Sequence, residues 1–147
     1  MQDIAPLSGI EFKCPVLENL AITSSRISSD WIQEFLKGSP KVKSLYFSYP
    51  FFTAAEFMLE SHASIEYLAL SSTTISKLFA KSCPNLSKIL LANNQYLSSV
   101  DIRNCDKLEY LDQSFCGSLK DYSFDIPMAQ IKDSRGEEYK IFQRRKN

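Results

Sequence analysis

Apolar residues recur along this chain in a hexad, apolar-x-x-apolar-x-apolar, that returns at near-constant intervals. It opens at Leu86, Leu97, Leu108 and Leu119, eleven residues apart, as Leu86/Ile89/Leu91, Leu97/Val100/Ile102, Leu108/Leu111/Gln113 and Leu119/Tyr122/Phe124. Upstream the same hexad is Leu17/Leu20/Ile22, Val42/Leu45/Phe47 and Ile65/Leu68/Leu70, with intervals of 25, 23 and 21 residues. Only Gln113 among these positions is neither apolar nor aromatic, whereas a chain 44% hydrophobic would leave more than half of them polar by chance. The last three positions of each hexad alternate with the period of a strand. Recurrence of such units predicts a solenoid, in which each turn buries its apolar face only against its neighbours.

The segments between hexads predict two kinds of turn. Ser28 to Gly38 reads as a helix: a polar cap, Trp31/Phe35 and Ile32/Leu36 four residues apart, and a terminal glycine. Thr53-Ala-Ala-Glu56 has the form of a capping box opening a second helix through Phe57, Met58 and Leu59. Thr74 to Lys81 predicts a third around Leu78 and Phe79. After Leu86 the return path is itself a hexad and leaves no room for a helix. The expected fold class is α/β, with strand-plus-helix turns up to about residue 85 and strand-plus-strand turns after it.

Leu86-Ser-Lys-Ile89-Leu-Leu91-Ala-Asn-Asn94-Gln-Tyr96 follows L-x-x-L-x-L-x-x-N/C-x-L from end to end, and in this the chain resembles the leucine-rich repeat family. Ile65 to Ile75 follows it with Thr73 at the asparagine slot, and Leu17 to Ile27 with Ser25 there. The resemblance implies that the slot's side chain hydrogen-bonds backbone left unpaired where the chain turns out of the strand. Pro50, at the slot of the second turn, cannot do so. The openings Cys14-Pro15-Val16-Leu17 and Cys83-Pro84-Asn85-Leu86, echoed by Ser39-Pro40-Lys41-Val42, resemble the cysteine-containing repeats of F-box-type substrate receptors. That resemblance implies a substrate-recognition segment of a ubiquitin-ligase receptor. No candidate F-box precedes residue 14, so an adaptor-binding role would need sequence elsewhere. A third reading is a structural piece of a larger repeat scaffold, such as an immune sensor or effector.

Seventeen basic residues balance seventeen acidic ones, which argues against a general nucleic-acid or anionic-membrane partner. No run approaches the length of a membrane-spanning helix, and the first residues lack the form of a secretory signal. Cys83, Cys105 and Cys116 lie on the eleven-residue register with Asn94 between them. They are expected as reduced thiols spaced by repeat geometry, in an intracellular and cytoplasmic setting. His62, the only histidine, holds the slot that Cys14 and Cys83 hold in their own repeats, and a structural role is expected for it. Cysteines eleven or more residues apart do not form the close ligand pairs that zinc needs. The scattered glycines make no phosphate loop. No catalytic residue, metal site or cofactor is expected, nor is an enzyme. Asn85-Leu86-Ser87 is a glycosylation sequon in form only, since Leu86 is a core position.

The domain reading is an N-terminal cap or linker over 1–13, a repeat solenoid over 14–126, and a C-terminal part over 127–147. In that last part Tyr139, Ile141 and Phe142 suggest an added strand before the basic Arg144-Arg145-Lys146. Ile10 and Phe12 are candidates to cover the first turn; otherwise further repeats or a partner are expected at that edge.

Residues between the core positions face the concave sheet. Stacking the hexads at 17, 42, 65, 86 and 108 yields one column of Asn19, Ser44, Tyr67, Lys88 and Tyr110, and a second of Ala21, Tyr46, Ala69, Leu90 and Asp112. A third holds Thr23, Ser48, Ser71, Ala92 and Ser114. Tyr46, Tyr67, Tyr110 and Leu90 form the expected anchor of a polypeptide partner, with Lys88 and Asp112 orienting it. Gln33 and Lys37, on the helix opposite, are expected to tolerate charge reversal.

Overall fold

The computed structural model describes residues 2–3, 13–52 and 54–125. β1 (Gln2–Asp3) leads into a first turn of β2 (Asn19–Thr23), β3 (Ser25–Ile27) and α1 (Ser29–Lys37). The second turn holds β4 (Ser44–Ser48), β5 (Phe51–Phe52) and β6 (Glu56–Glu60). The third holds β7 (Tyr67–Ser71) and β8 (Lys77–Lys81), and the fourth β9 (Lys88–Leu90) and β10 (Ser99–Arg103). β11 (Tyr110–Asp112) and β12 (Asp121–Phe124) complete the fifth. Strands β2, β4, β7, β9 and β11 form one five-stranded sheet, while β6, β8, β10 and β12 form a four-stranded sheet on the return side. A third sheet, β1-β3-β5, lies along the edge by which the first two turns leave the five-stranded sheet. Every pairing is parallel.

The hexads supply the core as expected. Leu45, Leu68, Ile89 and Leu111 of the five-stranded sheet are buried, and so are Phe57, Leu78 and Val100 of the return strands, all in one apolar cluster. Gln113, the polar exception, accepts a hydrogen bond from the Tyr122 hydroxyl. Both partners of that pair are at hexad positions, so the exception is met from within the repeat.

Two of the three expected helices are strands. α1 forms as the sequence suggests, with Ser28 accepting from the Trp31 N–H at 3.2 Å and Gly38 as its C-cap. Residues 56–60 and 77–81 instead pair with each other in register as β6 and β8. Their burial has period two: Phe57 and Leu59 are buried between exposed Glu56, Met58 and Glu60, and Leu78 and Ala80 alternate with Lys77, Phe79 and Lys81. The change of turn type therefore comes after the first turn and not near residue 85. Spacing explains it. A nine-residue helix at about 1.5 Å per residue spans little more than a four-residue strand at about 3.3 Å. Only the first interval, 25 residues, has length to spare. In the second turn Phe47, Phe52 and Phe57 pack edge to face at 5.6–6.0 Å, filling the space a helix would need.

Each turn leaves the sheets through one residue in the left-handed region. Ser24, Tyr49, Ser72, Asn93 and Phe115 do so beside the five-stranded sheet, and Ser61, Ser82 and Asn104 beside the return sheet, with φ between 50° and 62°. The twist points each N–H along the solenoid axis. Ser24, Tyr49, Ser72 and Asn93 donate to Ser48, Ser71, Ala92 and Ser114 of the next turn at 2.9–3.1 Å. Ser61 and Ser82 donate likewise to Lys81 and Arg103 at 2.9 Å.

The slot that follows carries the polar ladder implied by the resemblance. Buried Asn94 accepts from the Thr73 N–H at 3.0 Å and from its hydroxyl, and donates to the carbonyls of Leu70 at 2.8 Å and Leu91 at 2.7 Å. Cys116 follows in the next turn, with its thiol on the Leu91 carbonyl at 2.8 Å. At Pro50, which offers no such group, the Thr74 hydroxyl takes over, accepting from the Phe52 N–H at 3.1 Å and donating to the Phe52 carbonyl at 3.3 Å. The cysteines thus divide between two edges, Cys116 beside Asn94 and Cys83 with Cys105 on the other.

β1 pairs with β3, so the described part of the N-terminal segment lies against the first turn. Ile10, Phe12, and the C-terminal cluster of Tyr139, Ile141 and Phe142 lie outside the described residues.

Candidate protein-binding face

Parallel register fixes what the five-stranded sheet presents. Asn19, Ser44, Tyr67, Lys88 and Tyr110 are Cα partners across it, as are Ala21, Tyr46, Ala69, Leu90 and Asp112. These are the two columns expected from the sequence. The third is a strand column only through Thr23, Ser48 and Ser71, because β9 and β11 end before Ala92 and Ser114. Strands on both sides repeat at the same spacing of about 4.8 Å. From the second turn onward the return side therefore imposes little curvature, and the face is an open sheet.

Tyr46 is 42% exposed beside buried Ala69, while Tyr67, Leu90 and Tyr110 are half-buried and Lys88 is exposed. Burial, and then the neighbouring Tyr46 and Tyr110 phenols, push the Tyr67 hydroxyl above the usual tyrosine range. The three rings thus share one patch. Lys88 makes no ion pair among the described residues. Asp112 is partly committed: its Oδ1 accepts from the Ser114 N–H at 2.8 Å and from the Ser114 hydroxyl. At the N-terminal end of the first column, Ser44 and Asn19 bind each other.

Gln33 differs from its expected role as an inert control. Its side chain donates to the Met58 carbonyl and ties α1 to β6. Lys37 pairs only with exposed Glu34 at 3.0 Å and remains a sound control.

The residues considered for chemistry are occupied structurally. Buried His62 donates from Nε2 to the Ser39 carbonyl at 3.1 Å and accepts at Nδ1 from the Ser64 N–H at 3.3 Å. Neither ring nitrogen is left to activate Cys83. The Cys105 thiol, hydrogen-bonded to the Cys83 sulfur and buried, is pushed above the usual thiol range. Cys83 and Cys105 are completely buried, and all four cysteines are free thiols. No group of three potential metal ligands occurs among the described residues, and no helix there is long and apolar enough to cross a membrane. In the sequon, Asn85 is engaged at both ends of its amide, with the Ala63 carbonyl at 2.6 Å and Lys107 at 2.7 Å.

Sequence reasoning stopped one residue short of a further row. Tyr49 and Phe115, 63% and 79% exposed, hold the left-handed position just after the third column, and Tyr96, 65% exposed, stands close by. The available signal was their constant place seven residues after Val42 and Leu108.

The model of the leucine-rich repeats of an FBD-associated F-box protein matches residues 3–126. No curated protein and no solved structure matches the chain. The match spans most of the chain and coincides with the turns whose strands, polar slots and parallel register have just been described, and the chain belongs to this leucine-rich repeat family.

Proposed function

We propose that this chain is a protein-interaction module that binds another polypeptide across its five-stranded sheet and carries out no catalysis itself. The observation behind this reading is the convergence of Tyr46, Tyr67, Tyr110 and Leu90 on one open face, with small neighbours that leave room for a partner. Tyrosines bury large area at small rotamer cost and are frequent interface anchors. Lys88 supplies an uncommitted cation, and Asp112 keeps one carboxylate oxygen for the partner. The family match favours a more specific form: a substrate-recognition segment of an F-box-type ubiquitin-ligase receptor, acting in the cytoplasm.

The test is affinity capture with quantitative mass spectrometry on the wild-type protein, the Tyr46→Ala/Tyr67→Ala/Tyr110→Ala variant and Lys37→Glu. A partner held by this face is lost with the triple variant and kept with Lys37→Glu. A single anchor should be worth about 2 kcal/mol, roughly thirtyfold in affinity. A partner whose affinity survives the triple change refutes the assignment of the face.

A further inference from the structure

A cleft of about 490 Å³ on the edge of the solenoid is lined by Tyr49, Tyr96, Ser72, Thr73, Asn93 and Gln95. Its rim is built regularly. Tyr49, Ser72 and Asn93 are the left-handed residues of three successive turns, each held by its N–H to the next turn at 2.9–3.1 Å. Tyr49 and Asn93 therefore stand two turns apart, about 10 Å along the axis at ordinary strand spacing, and Tyr96 follows Asn93 by three residues. Both tyrosines border the cleft, so a ligand seated there can meet either ring.

The chemistry of the lining is narrow. No charged side chain contributes to it. Thr73 is committed to Asn94, and Thr74, which also borders the cleft, to the backbone of Phe52. The side chains of Ser72, Asn93 and Gln95 and the hydroxyls of Tyr49 and Tyr96 make no hydrogen bond among the described residues. Amides and hydroxyls offer both donors and acceptors. Phosphate or carboxylate recognition calls for Arg or Lys, and the cleft has neither. A wholly apolar ligand would strip water from these polar groups without replacing it.

We propose that this cleft binds a neutral saccharide. A pyranose ring has a C–H face to lay against a tyrosine and a rim of hydroxyls that donate and accept in turn. The volume suits one or two such rings, within the usual range of small-ligand sites. A proline-rich peptide also docks between aromatic residues, but its prolines present carbonyl acceptors and no N–H. The acceptors of Asn93 and Gln95 would then go unused. The proposal is independent of the protein-binding face.

The full chain is titrated with maltose, cellobiose, lactose, diacetylchitobiose and a polyproline decapeptide, followed by saturation-transfer NMR and calorimetry. At least one disaccharide should saturate with a dissociation constant of about 1 mM or tighter. Tyr49→Ala and Tyr96→Ala should each weaken it by about tenfold or more, with the melting temperature unchanged because both rings are largely exposed. Tyr46→Ala, on the sheet, should leave it unaltered. The proposal is overturned if no disaccharide saturates, if binding survives both cleft variants, or if the decapeptide alone binds there.

Discussion

The first and fifth turns place the same hexad in the same sheet and then return by different routes. One uses the nine-residue helix α1, the other the four-residue strand β12. Local capping signals do not explain the difference, since the segment at 53–56 of the second turn, which also returns by a strand, looked no less helical than Ser28 to Gly38. The number of residues available does separate them. A helix covers the return distance only where the interval is long, and the shorter intervals select strands whatever their capping signals suggest. Burial differs as well: Leu111 is fully buried, whereas Leu20, its counterpart in the first turn, is only partly so.

The sharpest way to break this comparison is to cut the same position in both turns. Leu111→Ala should cost about 2–5 kcal/mol in urea melts by opening a cavity between sheets. Leu20→Ala should cost clearly less, about 1 kcal/mol, because part of its surface already lies outside the core. Equal losses would show that the two ends are packed alike and that turn type has no bearing on burial.

A second, smaller contrast lies along the polar edge. Asn94→Ala strands the Thr73 N–H and the carbonyls of Leu70 and Leu91 and should cost about 2–4 kcal/mol. Cys116→Ser, in the next turn, keeps a donor toward the Leu91 carbonyl and should cost no more than about 1–2 kcal/mol. If the two variants melt alike, the slot is filled by shape and not by hydrogen bonds.

The smallest effect expected is a pH dependence. Burial raises the Cys116 thiol above its unfolded value, so the fold favours the protonated form. The stabilisation is complete below the ordinary thiol range and is lost as pH rises through the raised value. The melting temperature should fall as pH rises through and above the ordinary thiol range, and Cys116→Ser should flatten part of that fall. An identical slope in the variant would assign the loss to other groups.

The hexads made the turns, core and facing columns legible, because side-chain alternation and parallel register are both local consequences of spacing. Gln113 was legible as an exception but not as a partner of Tyr122, which lies across the core on another strand. The strands β6 and β8 were misread because Glu56 and Lys77 suit an exposed helix face as well as an exposed strand face. Only the neighbouring strand decides between them. The cleft at Tyr49 and Tyr96 was not legible, because it joins residues from three turns through loop geometry that no single repeat displays.

The left-handed residues at the edges bear on how the solenoid folds. None of them is glycine, and a non-glycine residue in that conformation costs roughly 1–2 kcal/mol. For all of them except Phe115 the compensating bond is made to the following turn. A turn formed alone holds the strained residue with its N–H toward water, and docking of the next turn supplies the acceptor. Strain is local while its relief is shared, so neighbouring turns have little reason to persist separately. An array of near-identical units, which could otherwise melt piecemeal, is thereby coupled along its length and should unfold with the sharpness of a single cooperative body.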